Sequence, residues 1–258
     1  DPNVLFLVID ALRPDHVGYL GYEKDTTPTL DELASRGITF TDNTSPASYT
    51  RASVPSIFTA MFPSVHGVLT QGKEREVLSD SFDTMAEILK GRGYATAAFM
   101  PNPSLSKVFH FDQGFDLYDE ELLFYGPDRT KQGKFETATK IHRRALEWLD
   151  SKKEDPFFLY LHYRDVHGPY LPPPSYSKMF WDDEGDHRKL SKAEYQRLPK
   201  YLRRKHDHGV LEYYVSQYDA EIRYTDDRIG EFLSQLEARG LLENTVIVVT
   251  SDHGESFL

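Results

Sequence analysis

A chain of 258 residues is long enough for one large domain with a well-buried core, so a single α/β domain over residues 1–258 is expected rather than two small ones. Hydrophobic residues at 39% and charged residues at 28% exclude a disordered chain, and no apolar run reaches the roughly 18 residues that cross a bilayer. A net charge of −11 argues against nucleic-acid binding and against docking on an anionic membrane, and the absence of cysteine leaves oxygen and imidazole as the only metal donors.

The first element is the apolar run Val4–Ile9, which ends in Asp10, the pattern of a buried parallel strand with a polar group at its carboxyl end. Asp31–Arg36 reads as helix, and Ser53–Ala60 as a short helix with Thr50 just ahead of it. A helix with Phe82, Met85, Ala86 and Leu89 on one face leads through Gly91 and Gly93 into a strand at Ala95–Phe99. Helix Thr137–Leu149 precedes strand Phe157–Tyr163, and a long helix over Leu211–Ala238 precedes a last strand, Thr245–Val249, which reads as buried. Strands alternating with helices predict a mostly parallel sheet covered on both faces. Residues 170–209, rich in proline, charge and aromatics, read as an irregular excursion beside the active face. No targeting segment is visible, so the compartment is left open, as is membrane association.

Ligands of open α/β sheets collect outside the carboxyl ends of the strands, and Asp10 and the pair Asp252–His253 both follow a strand. Either carboxylate alone is as well explained by capping the next turn; the coincidence of two favours a site. Thr50 is open to two readings, an ordinary helix cap or a hydroxyl beside a helix N-terminus that activation by a divalent cation would turn into a nucleophile.

Longer motifs narrow these alternatives. Val8-Ile9-Asp10-Ala11-Leu12-Arg13-Pro14-Asp15-His16 with Thr26-Thr27-Pro28-Thr29-Leu30 resembles the opening of the sulfatase family. Thr50-Arg51-Ala52-Ser53 through Thr59, followed by Pro63-Ser64-Val65-His66-Gly67, resembles that family's nucleophile block and puts Thr50 at the nucleophile position. Asp165-Val166-His167-Gly168-Pro169-Tyr170, Tyr218-Asp219-Ala220-Glu221-Ile222 and Thr250-Ser251-Asp252-His253-Gly254-Glu255 extend the resemblance over nearly the whole chain. It implies an alkaline-phosphatase-like α/β sandwich, a single divalent metal ion held by Asp10, Asp252 and His253, and Thr50 bridging metal and substrate. It also implies that His167 contacts the transferred group or assists the leaving oxygen, and that a smaller C-terminal subdomain lies outside this chain.

The sequence departs from the family at several of these positions. Thr50 stands where many sulfatases carry the Cys or Ser that becomes formylglycine, and Val54 replaces the motif arginine, so formylglycine is not expected. Ala11 replaces a second Asp, which leaves fewer hard oxygen donors and suits Mn²⁺ or Zn²⁺ better than Ca²⁺ or Mg²⁺ completed by waters. Met100-Pro101-Asn102-Pro103-Ser104 replaces a lysine-containing block, so Asn102 or Arg51 would have to hold the substrate anion, unless they serve only as turn and surface residues. Ser53 is expected to support the site from behind. Arg13 and Asp15 read either as orienting groups or as a structural ion pair, and His16 and His66 as hydrogen-bonded structure.

The expected function is hydrolysis of an anionic sulfate or phosphate ester, from a small molecule or a sulfated or phosphorylated glycan or lipid, through metal-activated Thr50. A threonyl ester must be released by water or another acceptor, so phosphodiesterases and phosphoglycerol or phosphoethanolamine transferases, which resemble this arrangement, form the alternative. A non-catalytic binding module that keeps the fold is the reading from another class.

Overall fold

The computed structural model describes residues 1–69, 76–124, 137–151, 156–205 and 209–257. The apolar run at the start of the chain becomes β1 (Asn3–Ile9), which lies between two parallel neighbours, β4 (Phe157–Tyr163) and β5 (Thr245–Thr250). β2 (Ala95–Phe99) and β3 (Leu117–Asp119) complete a five-stranded sheet in the order β3-β2-β4-β1-β5, every pair parallel. The helices are α1 (Pro28–Arg36), α2 (Thr50–Thr59), α3 (Pro63–His66), α4 (Met85–Lys90), α5 (Thr137–Ser151), α6 (Lys192–Arg197), α7 (Lys200–Lys205) and α8 (Leu211–Ala238). This is the mostly parallel α/β arrangement that the strand-helix alternation predicts.

Successive strand side chains point to opposite faces, and that alternation sorts the core into two. Leu5, Leu7 and Ile9 of β1, with Leu159, Leu161 and Tyr163 of β4, pack on the face covered by α5 and α8. Phe6 and Val8, with Phe158 and Tyr160, face α2 and α4 through Val54, Phe58 and Ala86. Apart from Asn3 at the amino end of β1 and His162 near the carboxyl end of β4, both core strands are apolar or aromatic throughout.

Several elements differ from the sequence reading. α2 begins at Thr50 instead of Ser53, and it accommodates Pro55 in its interior despite the internal hydrogen bond that proline forgoes. α4 begins at Met85, where a reciprocal cap fixes its start: Thr84 Oγ1 accepts from Glu87 N at 3.2 Å and Glu87 Oε2 accepts from Thr84 N at 2.9 Å. β3 is too short to leave a periodic signal. Gly114 just before it must be glycine, because a Cβ there would lie 2.2 Å from the backbone nitrogen of Glu87. β5 ends the sheet among the described residues and is half-exposed instead of buried, with Val246 49% exposed. The segment 170–209 carries α6 and α7, and Leu198 and Leu202 from it enter the core. Among the described residues, no helix is long and apolar enough to cross a membrane.

Long-range polar ties bind α8 to the loop after β1. Tyr218 Oη donates to Ala11 O at 2.7 Å and accepts from Arg13 N at 2.8 Å. Buried Asp219 meets His16 Nδ1 at 2.7 Å and accepts from Tyr22 Oη at 2.7 Å and Lys24 Nζ at 2.8 Å. Asp226, in the same helix, accepts from the backbone N–H groups of Thr29 and Leu30 at 2.8 and 3.0 Å and so holds the first turn of α1.

Burial outweighs those two bonds and pushes the Asp226 carboxyl up to about 6. The folded chain then binds this proton more tightly than the unfolded chain, so the stabilisation is complete below the unfolded value near 3.8 and is lost as pH rises through about 6. Asp226→Asn is expected to flatten that dependence, which corresponds to at most about 3 kcal/mol. Urea midpoints at pH 4, 5, 6 and 7 check it; identical pH dependence in the parent and the variant would contradict the assignment.

Candidate active site

Register places Val8 opposite His162 and Ile9 opposite Tyr163, and Asp10 N donates to Tyr163 O at 2.9 Å, so β1 and β4 end together. Asp10 continues the alternation of Phe6 and Val8 and lies on the α2 side, as does His162. The backbone then turns through Ala11, which adopts a left-handed conformation with φ 63°, at a cost of about 1 kcal/mol for a residue bearing a Cβ. That turn aims Ala11 N at Asp252 Oδ1, 3.2 Å away, and His253 N donates to the same oxygen at 2.9 Å. Ser251 Oγ closes the junction by donating to Ile9 O at 2.9 Å.

The tips of β1 and β5 thereby bring Asp10, Asp252 and His253 together, and α2 adds Thr50. His253 Nδ1 lies 2.7 Å from Gly254 O, an atom that only accepts, so Nδ1 carries a proton and Nε2 is left to face the cluster. Nε2 is 3.5 Å from Asp10 Oδ1, 3.6 Å from Asp252 Oδ2 and 3.2 Å from Thr50 Oγ1. Those two carboxylate oxygens are buried and have no hydrogen-bond donor.

Two partnerless anionic oxygens and an imidazole nitrogen gathered in a buried space are costly unless a cation joins them. Ligands about 2.1 Å from one ion stand about 3.4 Å apart when tetrahedral, close to the observed spacings. The residues therefore fit a divalent ion. His162 also offers a ligand atom within 4.8 Å of Asp10 and Asp252. Its Nε2, however, lies 3.4 Å from Asp10 Oδ2, the oxygen already receiving Asn102 Nδ2 at 2.7 Å, and its Nδ1 meets Tyr160 Oη at 3.2 Å. His162 thus orients Asp10, while Asp10, Asp252, His253 and Thr50 surround the open space.

Electrostatics reports the same crowding. Burial pushes Asp10 up, but the hydrogen bond from His162 and the imidazoles of His167, His162 and His253 outweigh it and hold the carboxyl below the usual range. Burial and the neighbouring Asp10 charge raise Asp252. Burial lowers His253, yet Asp252 and Asp10 beside its ring bring it above the ordinary imidazole value.

Thr50 is not a helix cap: it is the first residue of α2, Tyr49 is the cap, and no side chain caps this end. Ser53 lies behind the cluster, with Oγ donating to Asp252 O at 2.5 Å. Asn102 lines the site and spans it, donating to Asp10 and lying 3.4 Å from Thr50 Oγ1, while its Oδ1 accepts from Ser104 N at 2.9 Å. Arg51 borders the pocket with its guanidinium 3.9 Å from the centre of the Phe109 ring. His167 also lines the pocket, its ring 6.4 Å from that of His253, and its Nδ1 is 2.8 Å from Gly168 O, which leaves Nε2 as the nitrogen able to exchange a proton. Its neighbour Asp165 is structural, accepting from Thr137 N and Ala138 N at the start of α5 at 2.9 and 3.1 Å.

Arg13 and Asp15 form a two-pronged ion pair of 2.9 and 2.7 Å at the pocket rim. His16 and His66 are hydrogen-bonded structure, the latter to Ser56 Oγ at 3.0 Å. Sequence reasoning missed His162 and Arg164. A lone imidazole at an even position of an otherwise apolar strand, in step with Asp10, was the available signal for the first. Above the cluster opens a pocket of about 820 Å³.

The family pattern described as Sulfatase matches residues 2–258. The chain belongs to the sulfatase family. It is 26% identical over 280 residues to the ulvan-active sulfatase of Formosa agariphila, covering 98% of this chain and 50% of that protein. Against mouse iduronate 2-sulfatase it is 24% identical over 314 residues, covering 98% and 54%. This sulfatase-family chain thus spans about half the length of the curated relatives it matches.

Its fold is shared with solved structures of other enzymes. The phosphonate monoester hydrolase of Agrobacterium radiobacter superposes with a TM-score of 0.77 at 20% identity, covering 99% of this chain and 63% of that one. The lipoteichoic acid synthase LtaP of Listeria monocytogenes does so with 0.69 at 20% identity, covering 99% and 57%.

If the cluster is built for a cation, metal and carboxylate substitutions must act in opposite senses. Thermal melts in chelator and with Mn²⁺, Zn²⁺, Ca²⁺ or Mg²⁺ are expected to show the parent gaining about 3 kcal/mol at one hundred times Kd. Asp10→Asn and Asp252→Asn should lose that gain. In chelator Asp252→Asn should melt no lower than the parent, since it removes one of two repelling charges. A variant that still gains fully from metal would contradict the site.

Proposed function

We propose that this chain carries the catalytic centre of a metal-dependent hydrolase of anionic sulfate or phosphate esters, with unmodified Thr50 as nucleophile. One observation supports this above the others: the Thr50 hydroxyl stands 3.2 Å from His253 Nε2, at the mouth of a space bounded by the partnerless oxygens of Asp10 and Asp252. Asp10, Asp252, His253 and Thr50 would hold the ion, which when bound favours the ionised hydroxyl and offsets the charge of the incoming ester. The oxygen-rich donor set with one imidazole suits Mn²⁺ or Zn²⁺.

The protein's own groups divide the remaining work. Thr50 Oγ1 forms a bond to sulfur or phosphorus as the bond to the leaving oxygen breaks. His167, whose Nδ1 is committed to Gly168 O, delivers a proton from Nε2 to that leaving oxygen. Asn102 fixes the relative positions of Asp10 and Thr50, and the Arg51 guanidinium meets the non-bridging oxygens of the transferred group. Because Thr50 opens α2, the positive end of that helix also favours an anion there. Water then attacks the threonyl ester and restores the hydroxyl.

The threonine itself favours a second reading. Unlike a formylglycine hydrate, a threonyl ester cannot collapse by expelling its cargo, so an alcohol acceptor in place of water would make the protein a phosphoryl transferase, while water acting after attack on a phosphodiester would make it a phosphodiesterase. The substrates in view are sulfated or phosphorylated glycans or lipid head groups; two sulfatases similar over this chain are named for activity on ulvan and for the 2-position of iduronate.

Thr50→Ala is expected to lower kcat by about a thousandfold or more, with Thr50→Ser retaining part of the rate. Quenched reactions with paired sulfate and phosphate esters should leave a mass adduct on the Thr50 peptide, and the ester that labels faster identifies the transferred group. His167→Asn should lose about a hundredfold or more on alkyl esters and far less on 4-nitrophenyl esters, whose leaving group needs no proton. Full activity of Thr50→Ala would remove Thr50 from the chemistry, loss of activity with no labelling by either ester would favour a non-covalent route, and no turnover or labelling by the parent itself would favour a binding module.

A further inference from the structure

The pocket carries more positive charge than the group transferred to Thr50 requires. Arg164 is the first residue beyond β4, on the segment that also presents His167, and it lines the same pocket as Thr50 and Arg51. Its Nε is buried without a hydrogen-bond partner, and among the described residues its guanidinium meets no carboxylate.

Arg51, in the same pocket, likewise has a buried Nε without a hydrogen-bond partner. Acidic residues outnumber basic ones by 41 to 30, and other guanidinium groups are taken up by them: Arg13 by Asp15, Arg144 by Asp119, Arg223 by Asp25 and Asp227, Arg239 by Asp150. A half-buried guanidinium that has lost water from Nε and found no acceptor is poised for an anion from outside, and its planar fork matches a carboxylate or an ester anion. Arg51, the neighbour of Thr50 in the chain, already serves the transferred group. Arg164 shares its segment with the group assigned to protonate the leaving oxygen, which places it on the leaving-group side.

We propose that Arg164 is a specificity-determining residue that binds an anionic substituent of the alcohol released, so that the preferred substrate is an ester whose leaving group itself carries a carboxylate or a second ester anion. The inference rests on the reading of Thr50 as nucleophile for the direction in which the substrate lies, but its test does not depend on turnover.

Binding of phenyl sulfate and 3-carboxyphenyl sulfate, and of the corresponding phosphates, is measured by calorimetry on the full chain carrying Thr50→Ala, with and without Arg164→Gln or Arg164→Lys. The Thr50→Ala protein is expected to prefer the carboxylated ester. Arg164→Gln should reduce that preference about tenfold, and Arg164→Lys, which keeps the charge but not the fork, should restore part of it. A purely structural role would weaken both esters alike. Equal loss for the two esters, or no preference before substitution, overturns the proposal. Failure of the nucleophile assignment would show separately, as undiminished turnover by Thr50→Ala with Arg164 intact.

Discussion

Everything about this site follows from a single tautomer. The carbonyl of Gly254 accepts from His253 Nδ1, so that in the neutral imidazole the opposite nitrogen presents its lone pair toward Asp10 Oδ1 and Asp252 Oδ2. Electron-rich atoms facing one buried space repel one another, and the rise of Asp252 through burial and the Asp10 charge registers that repulsion, while the same two carboxylates raise His253 by favouring its charged form. The surrounding structure is arranged to keep them there: Ala11 accepts a strained backbone so that its N–H can hold Asp252, while Asn102 and His162 hold Asp10 by its other oxygen.

The supports are themselves supported from α8. Tyr218 grips both sides of the Ala11 turn, and Asp219 collects His16, Tyr22 and Lys24 from the loop that follows. These are buried, long-range and multiply bonded contacts, so they weigh far more than the exposed Arg13–Asp15 pair, a type worth at most about 1 kcal/mol. The sequence block around Tyr218 and Asp219 thus acts on the site only through the backbone it immobilises, which separates it from the blocks around Thr50 and His253, whose side chains line the pocket.

How much of this could be read from sequence depended on the length of the physical signal. β1, β4 and α8 have long apolar patterns of one period, and their predicted bounds lie within a residue of the observed ones. Asp10, Asp252 and His253 were legible because strand ends in a parallel sheet share one edge. β3, three residues long, has no period to detect, and β5 looked buried because its residue types do not record that a sheet ends beside it. The sequence reading began α2 at Ser53, three residues after its observed start at Thr50, where no side chain caps the helix to mark it. His162 was hidden inside a strand read only for its hydrophobicity, although its parity with Asp10 was in principle available. Arg164 left no trace, since an arginine at a strand end is ordinary until its lack of a partner is seen.

The position of β5 at the sheet margin has a dynamic corollary. Asp252 and His253 hang from a strand with a neighbour on one flank only among the described residues, so the half of the cluster they provide belongs to the part of the sheet most prone to fray. Asp10, by contrast, projects from an interior strand. Any ion clasped across the two tips would rivet the margin to the interior, making local opening of the last strand and release of the ion a single event.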